Sequence, residues 1–189
     1  MSPPLTLLQT ERLLLRPFRE DDLDELSALN ADAEVTRFLT GGRPRSREET
    51  AGKLRQGLED WRLHGFGMFT LIDKADGRFV GLCGIGHPHA LADAELSYSL
   101  AKRCWGRGLA TEAAAAVLRY GFEVVGLPRV VCVAVAENVA SQRVMAKAGM
   151  TLQGPYEFDG LQAVLYAMQN PAGDSPAAPV RRQDAVRDA

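Results

Sequence analysis

The stretch "RCWGRGLATEA", Arg103 to Ala113, sets Gly106 and Gly108 around Arg107 and runs at once into strong helix formers. Glycines let a backbone approach a ligand closely and turn successive N–H groups into one concavity. A helix N-terminus adds a fractional positive charge, worth ~0.3–1 kcal/mol when exposed and up to ~2 kcal/mol when partly buried. Together these features point to recognition of an anion, and a phosphate or pyrophosphate is the usual one.

Three phosphate-binding patterns compete for the segment. A Walker A loop needs G-x-x-x-x-G-K-[ST], and the chain contains no such run. A dinucleotide fingerprint needs G-x-G-x-x-G; here Gly106 and Gly108 are followed by Thr111, so the third glycine is missing. The near miss "GFGMFT" at Gly65 precedes a strand-like run, not a helix. The third pattern, [QR]-x-x-G-x-[GA], is met by Arg103, Gly106 and Gly108.

Other reactive residue types are sparse. His87 and His89, spaced by one proline, do not make a metal site without further ligands, and no metal is expected. Cys83, Cys104 and Cys132 have no metal-like spacing and read as small buried hydrophobes in a reducing, cytoplasmic setting. The chain has 189 residues, 46% hydrophobic and 24% charged, with net charge −2. Such a balance argues against a general nucleic-acid binder. The start "MSPPLTLLQ" lacks the regions of a signal peptide. No apolar run approaches the ~18 residues of a membrane span, so no membrane partner is expected.

The elements that must position the glycine turn follow from periodicity. "ERLLLRPF" (Glu11 to Phe18) reads as a first strand stopped by Pro17. A helix follows, with Asp21 or Asp22 as N-cap and Leu23, Leu26 and Leu29 on one stripe. Ser46 and Glu49 form a capping box before Ala51, Leu54, Leu58 and Trp61, and Gly65 ends that helix. "FGMFTLID" and "FVGLCGIG" read as a hairpin around Asp76-Gly77. "ELSYSL" alternates, with Leu96, Tyr98 and Leu100 on one face and Glu95, Ser97 and Ser99 on the other. Beyond the glycine turn come a helix from Leu109 to Val125, the strand "RVVCVAV", a helix capped near Asn138, and two strands around Asp159-Gly160. The order is strand, two helices, three strands, helix, strand, helix, two strands, which is an α/β fold with a mixed sheet. Residues 1–9 read as a lead-in, 10–169 as one domain, and the Pro/Ala-rich 170–189 as a tail outside the core.

Several of these segments, taken together, resemble the GNAT superfamily of acetyl-CoA-dependent N-acetyltransferases. More narrowly they are similar to its RimJ/RimL-type branch, named for enzymes that acetylate ribosomal-protein N-termini. The likeness is carried by "TERLLLRPFREDDLDEL", "VGLCGIG", "AELSYSLAKRCWGRGLATEA" and "ENVASQRVMAKAGM", the last through Asn138, Ser141, Lys147 and Gly149. The resemblance implies a single domain whose mostly antiparallel sheet splays open between its fourth and fifth strands, "ELSYSL" and "RVVCVAV". Acetyl-CoA would lie in that splay. Its pantetheine amides would meet the backbone near Ser99 and Leu100. Its pyrophosphate would meet N–H groups from about Arg103 to Ala110, including Gly106, Arg107, Gly108 and Leu109. Asn138 and Ser141 would line the thiol end, and Lys102, Arg103 and Arg107 would add charge.

The family reaction is direct attack of an amine on a thioester. The resemblance makes Glu95 the candidate general base, with His87 and His89 as alternatives. Where many relatives carry a tyrosine that protonates the leaving thiolate, this chain has Met145, so Ser141 is the nearest donor. That departure leaves open a second reading, an acyl-CoA-binding regulatory module without turnover. The acceptor is a small-molecule or peptide amine, bound near Phe38, Trp61, Phe66, Tyr156 and Phe158 unless these are core. A homodimer is common in the branch.

Overall fold

The structure, a computed structural model, describes residues 7–39, 42–86, 93–158 and 160–173. Its strands are β1 (Leu8–Gln9), β2 (Leu13–Pro17), β3 (Met68–Asp73), β4 (Phe79–Gly86), β5 (Ala94–Leu100), β6 (Arg129–Val135), β7 (Thr151–Phe158) and β8 (Leu161–Gln169). Its helices are α1 (Leu23–Ala31), α2 (Ala33–Thr36), α3 (Arg47–His64), α4 (Leu109–Tyr120) and α5 (Val139–Lys147). Compared with the order read from sequence, β1 and the single-turn α2 are additions. The strand "ELSYSL" is therefore β5, and "RVVCVAV" is β6.

The strands form one sheet in the order β1-β2-β3-β4-β5-β6-β8-β7. Among the described residues β5 and β6 run parallel, and every other neighbouring pair is antiparallel. Strand alternation sends Leu13, Leu15, Phe69, Leu71, Cys83, Ile85 and Leu96 to one face, all essentially buried. That face is covered by α4, whose Ala113 and Ala114 are fully buried. Small side chains there let the helix lie close to the strands while keeping high helix propensity. A π-helical turn, Gly121–Val125, extends α4 to the end expected from sequence.

The opposite face carries Thr70, Leu82, Ser97 and Ser99, and α1 begins against it. Asp22 is the N-cap residue of α1, as the sequence allowed, but its side chain makes no cap hydrogen bond. It turns inward instead, and Arg16 grips it through Nη1 and Nη2, at 2.9 and 2.5 Å. The Thr70 hydroxyl and the Arg19 amide donate to the same carboxylate, at 2.7 and 2.8 Å. Burial alone would push the Asp22 carboxyl up, but these four donors together hold it below its ordinary value.

The capping box of α3 forms as read: Ser46 Oγ accepts from the Glu49 amide, and Glu49 accepts from the Ser46 amide. Trp61 and Phe66 are core residues, with the Trp61 indole N–H donating to the Met68 carbonyl at 2.8 Å. They do not line an open acceptor cleft. Phe38 and Tyr156 are half-buried, and Arg37 stacks over the Phe38 ring. The Phe158 side chain, His87 and His89 lie outside the described residues.

Candidate active site

The site is built on a failure of pairing. Among the described residues β5 meets β6 at two positions, Ala94 opposite Val130 and Glu95 opposite Val131. Beyond Glu95 the strands part, and Leu96 to Leu100 have no strand partner on that side. Successive residues of a strand turn their amide groups to opposite neighbours. The Ala101 N–H bonds the Val80 carbonyl on the β4 side, so Ser99 and Ser97 also face β4. The groups open to the splay are therefore the Leu96 carbonyl and those of Tyr98 and Leu100. The Ser99 amide is taken by the ladder with β4, so near Ser99 and Leu100 the splay-facing backbone belongs to Leu100. Leu100 offers only its N–H, because its carbonyl accepts the Trp105 indole N–H at 2.7 Å.

Past Leu100 the chain makes the glycine turn. Gly106 and Gly108 have φ of +73° and +76°, a left-handed conformation that costs other residues roughly 1–2 kcal/mol. A Cβ on Gly106 would meet nothing within 4 Å, so backbone conformation and not crowding demands glycine there. Gly108 is the N-cap of α4 and supplies no side-chain cap. The first amide bonded within the helix is that of Glu112, to the Gly108 carbonyl. The N–H groups of Leu109, Ala110 and Thr111 are thus left pointing out of the helix mouth, the donor set an anion requires.

The turn is held from beneath by a contact that sequence reading missed. Arg12 at the end of the β1–β2 turn donates from Nη1 to the Arg107 carbonyl at 2.7 Å and from Nε to Glu112 at 2.7 Å. The Arg12 amide and the Thr10 hydroxyl also reach the Glu112 carboxylate, at 2.8 and 2.5 Å. Burial pushes the Glu112 carboxyl up, yet these donors bring it below its ordinary value. A negative charge in the first turn of α4 would repel a phosphate; Arg12 neutralises it and also holds the Arg107 carbonyl of the loop.

The loop cations are committed elsewhere. Arg107 pairs with Asp73 at 3.0 Å, Arg103 donates to the Phe79 carbonyl at 2.5 Å, and Lys102 pairs with Glu34. Arg103 and Arg107 both line a recess of about 190 Å³ beside the β3–β4 turn, shared with Arg78, Asp73 and Asp76.

Glu95 sits at the last paired rung, where the splay opens. Burial pushes its carboxyl above the ordinary glutamate range, against the opposing hydrogen bond from the Val133 amide on β6. Across the sheet, Asn138 caps α5, its Oδ1 accepting from the Ser141 amide at 3.1 Å. That leaves the Asn138 side-chain NH₂ for other partners. The Ser141 hydroxyl lies 2.7 Å from the Tyr98 hydroxyl, and Tyr98 also donates to the Ser141 carbonyl at 3.0 Å. Sequence had placed Tyr98 on an apolar face and given it no role. A tyrosine on such a face needs a partner for its hydroxyl, and that was the signal available.

Met145 is fully buried, and Cys83, Cys104 and Cys132 are all free and buried. Burial pushes the Cys83 and Cys132 thiols far up, with Glu95 adding to the effect on Cys132. Neither can present a thiolate near neutral pH. Among the described residues no cluster of histidine, cysteine or carboxylate side chains could hold a metal ion, and no helix is long and apolar enough to cross a membrane.

The site thus joins a splayed strand pair, a glycine turn into the mouth of α4 and a half-buried glutamate at the apex. The family model described as an acetyltransferase (GNAT) domain matches residues 12–151. The chain belongs to this family and is an acetyl-CoA-dependent N-acyltransferase. It is 30% identical over 149 residues to the uncharacterized N-acetyltransferase p20 of Bacillus licheniformis, covering 78% of this chain and 83% of that one. Among solved structures it is similar to an acetyltransferase from Agrobacterium tumefaciens, with 28% identity, 89% and 97% of the two chains covered, and a TM-score of 0.78. The fold is also that of RimL, the ribosomal L7/L12 alpha-N-protein acetyltransferase in complex with coenzyme A, at 19% identity, 86% and 97% coverage and a TM-score of 0.74.

Proposed function

We propose that this chain transfers an acetyl group from acetyl-CoA to the α-amine of a peptide or protein, with Glu95 as general base. The observation that carries the reading is the position of Glu95, a carboxylate with a raised pKa at the apex of the splay. The residues present fit the acyl donor. The amides of Leu109, Ala110 and Thr111 suit its pyrophosphate, and the splay-facing groups of Tyr98 and Leu100 suit its pantetheine amides. When bound, acetyl-CoA supplies an acetyl group activated by a thiolate leaving group.

Glu95 lies on the α1 face of β5, with Ser97 and Ser99, while Tyr98 and Ser141 lie on the α4–α5 face. Acceptor and donor therefore approach from opposite sides of the sheet. The Glu95 carboxylate takes the proton that the amine loses on attack, directly or through one water. An α-amine has a pKa of about 7.7–8.0 and is substantially neutral near pH 7, whereas lysine at about 10.4 is almost wholly charged. A single carboxylate suits the former. The fold shared with RimL, whose name assigns it an α-amine on a ribosomal protein, supports the same acceptor class. We assign the reaction to a cytoplasmic setting, on the three free cysteines.

The test is thiol release from acetyl-CoA across peptides with free N-termini, polyamines and aminoglycosides, with calorimetry for coenzyme A. Turnover is expected with peptides. Binding of coenzyme A with turnover confined to polyamines or aminoglycosides would overturn the acceptor class, and absence of binding would overturn the whole reading.

A further inference from the structure

We infer that Tyr98 is a positioning residue that aims the Ser141 hydroxyl at the leaving sulfur, so that the two hydroxyls act as one hydrogen-bond donor to the thiolate. The inference rests on the acetyl-CoA reading above. Three observations carry it: the 2.7 Å contact between the hydroxyls, the 3.0 Å bond from Tyr98 to the Ser141 carbonyl, and the place of the pair across the splay. Tyr98 stands on the β5 arm, and Ser141 stands in the first turn of α5, which follows the β6 arm.

Counting protons shows what the pair does. A carbonyl can only accept, so for both contacts to be satisfied together the single Tyr98 hydrogen goes to the Ser141 carbonyl. In that arrangement the Ser141 hydroxyl is the donor of the 2.7 Å contact and Tyr98 Oη the acceptor. Ser141 has its hydrogen turned towards the tyrosine. A thiolate forming in the splay offers that hydrogen a charged acceptor, and charge-assisted bonds are about twice as strong as neutral ones. The Ser141 hydrogen swings to the sulfur, and the Tyr98 hydrogen swings from the carbonyl to Ser141 Oγ. No O–H bond breaks and no charge appears on either residue. The sulfur later takes its proton from solvent as the thiol departs.

Burial holds the Tyr98 hydroxyl protonated, with the neighbouring Cys132, Cys83 and Tyr166 adding to that effect and Ser141 opposing it. Tyr98 is therefore always a donor. This arrangement answers the loss of a tyrosine at Met145: the phenol reaches the site from the strand and works through serine.

The decisive measurement is the pKa of the coenzyme A thiol when bound, read from the ultraviolet absorbance of the thiolate after subtraction of the ligand-free protein. A charge-assisted bond of about 1.5–3 kcal/mol corresponds to a thiol pKa lowered by about one to two units in the wild type. Tyr98→Phe and Ser141→Ala should each return most of that shift. The double variant should be no worse than Ser141→Ala, because the tyrosine acts only through the serine. With acetyl-CoA, Tyr98→Phe should lower kcat about tenfold with KM changed less than twofold. Thermal melting confirms that each variant is folded, and Ser141→Ala tests the inference if Tyr98→Phe is not. Bound thiol pKa values that agree in wild type and both variants would overturn the inference while leaving the acetyl-CoA reading intact. Failure of the wild type to bind coenzyme A would overturn both.

Discussion

A carboxylate serves as a base only where it is both ionised and basic, and Glu95 is placed for that compromise. Burial raises its pKa, so as pH falls the fraction able to accept a proton declines earlier than for a solvent-exposed glutamate at about 4.3. The rate, kcat/KM, should rise with pH along a limb whose midpoint lies above that value. Glu95→Gln should remove the limb and lower kcat by about 10²–10⁴-fold, with coenzyme A affinity retained; steady-state kinetics against pH and calorimetry check the two halves. Loss of binding along with turnover would point instead to a structural role. Asp22 is the opposite case. Its folded pKa is depressed, so its stabilising contribution is full above its unfolded value of about 3.9 and is lost as pH falls through the folded value. Asp22→Asn leaves Arg16 facing a neutral partner in a buried setting and should cost about 3 kcal/mol, or roughly 6–12 °C in melting temperature. Acetylation by the folded variant should be unchanged, since the pair lies between β2, β3 and the start of α1.

The loop between β5 and α4 illustrates what an element adds to its residues. Glycines at 106 and 108 allow the turn, but Arg12 and Glu112 fix where it sits. Gly108→Ala places a side chain at φ +76° without a clash, its nearest contact being Arg12 at 3.6 Å. Backbone strain of about 1–2 kcal/mol should appear as a 5- to 30-fold rise in KM for acetyl-CoA, with kcat little changed. A fall in kcat at constant KM would show that the loop acts on chemistry and not on binding. At this scale the sequence was informative where the cause is local. The Ser46–Glu49 box, the Asp76-Gly77 hairpin and the glycine turn depend on residues a few positions apart, and all three formed. The Arg12–Glu112 contact joins residues 100 apart, and the Asp22–Thr70 contact joins residues 48 apart, so neither leaves a periodic trace. The neighbour that the Ser99 amide faces was not legible for a subtler reason. Alternation tells which face a side chain takes, but which neighbour an amide faces depends on the register with β4, and that only the fold supplies.

In the whole molecule, the site belongs to no single element. It lies where two runs of strands, β1 to β5 and β6-β8-β7, come together. A ligand that fills the gap should therefore stabilise the entire chain. Coenzyme A at about 100 times its Kd should add about 2.7 kcal/mol to unfolding, read by thermal or denaturant melts with and without ligand. Hydrogen exchange should show the gain at the amides of Tyr98, Leu100 and Leu109 to Thr111, and an unchanged pattern there would mean that the ligand binds elsewhere.

Two rungs of pairing between β5 and β6 also have a mechanical meaning. They form a seam: each half-sheet keeps its own ladders when the seam opens, so parting the halves breaks few backbone bonds. The Tyr98–Ser141 contact crosses this seam as a latch. A ligand filling the gap would therefore join two half-sheets that share few backbone bonds, adding its contacts along the line where the chemistry is assembled.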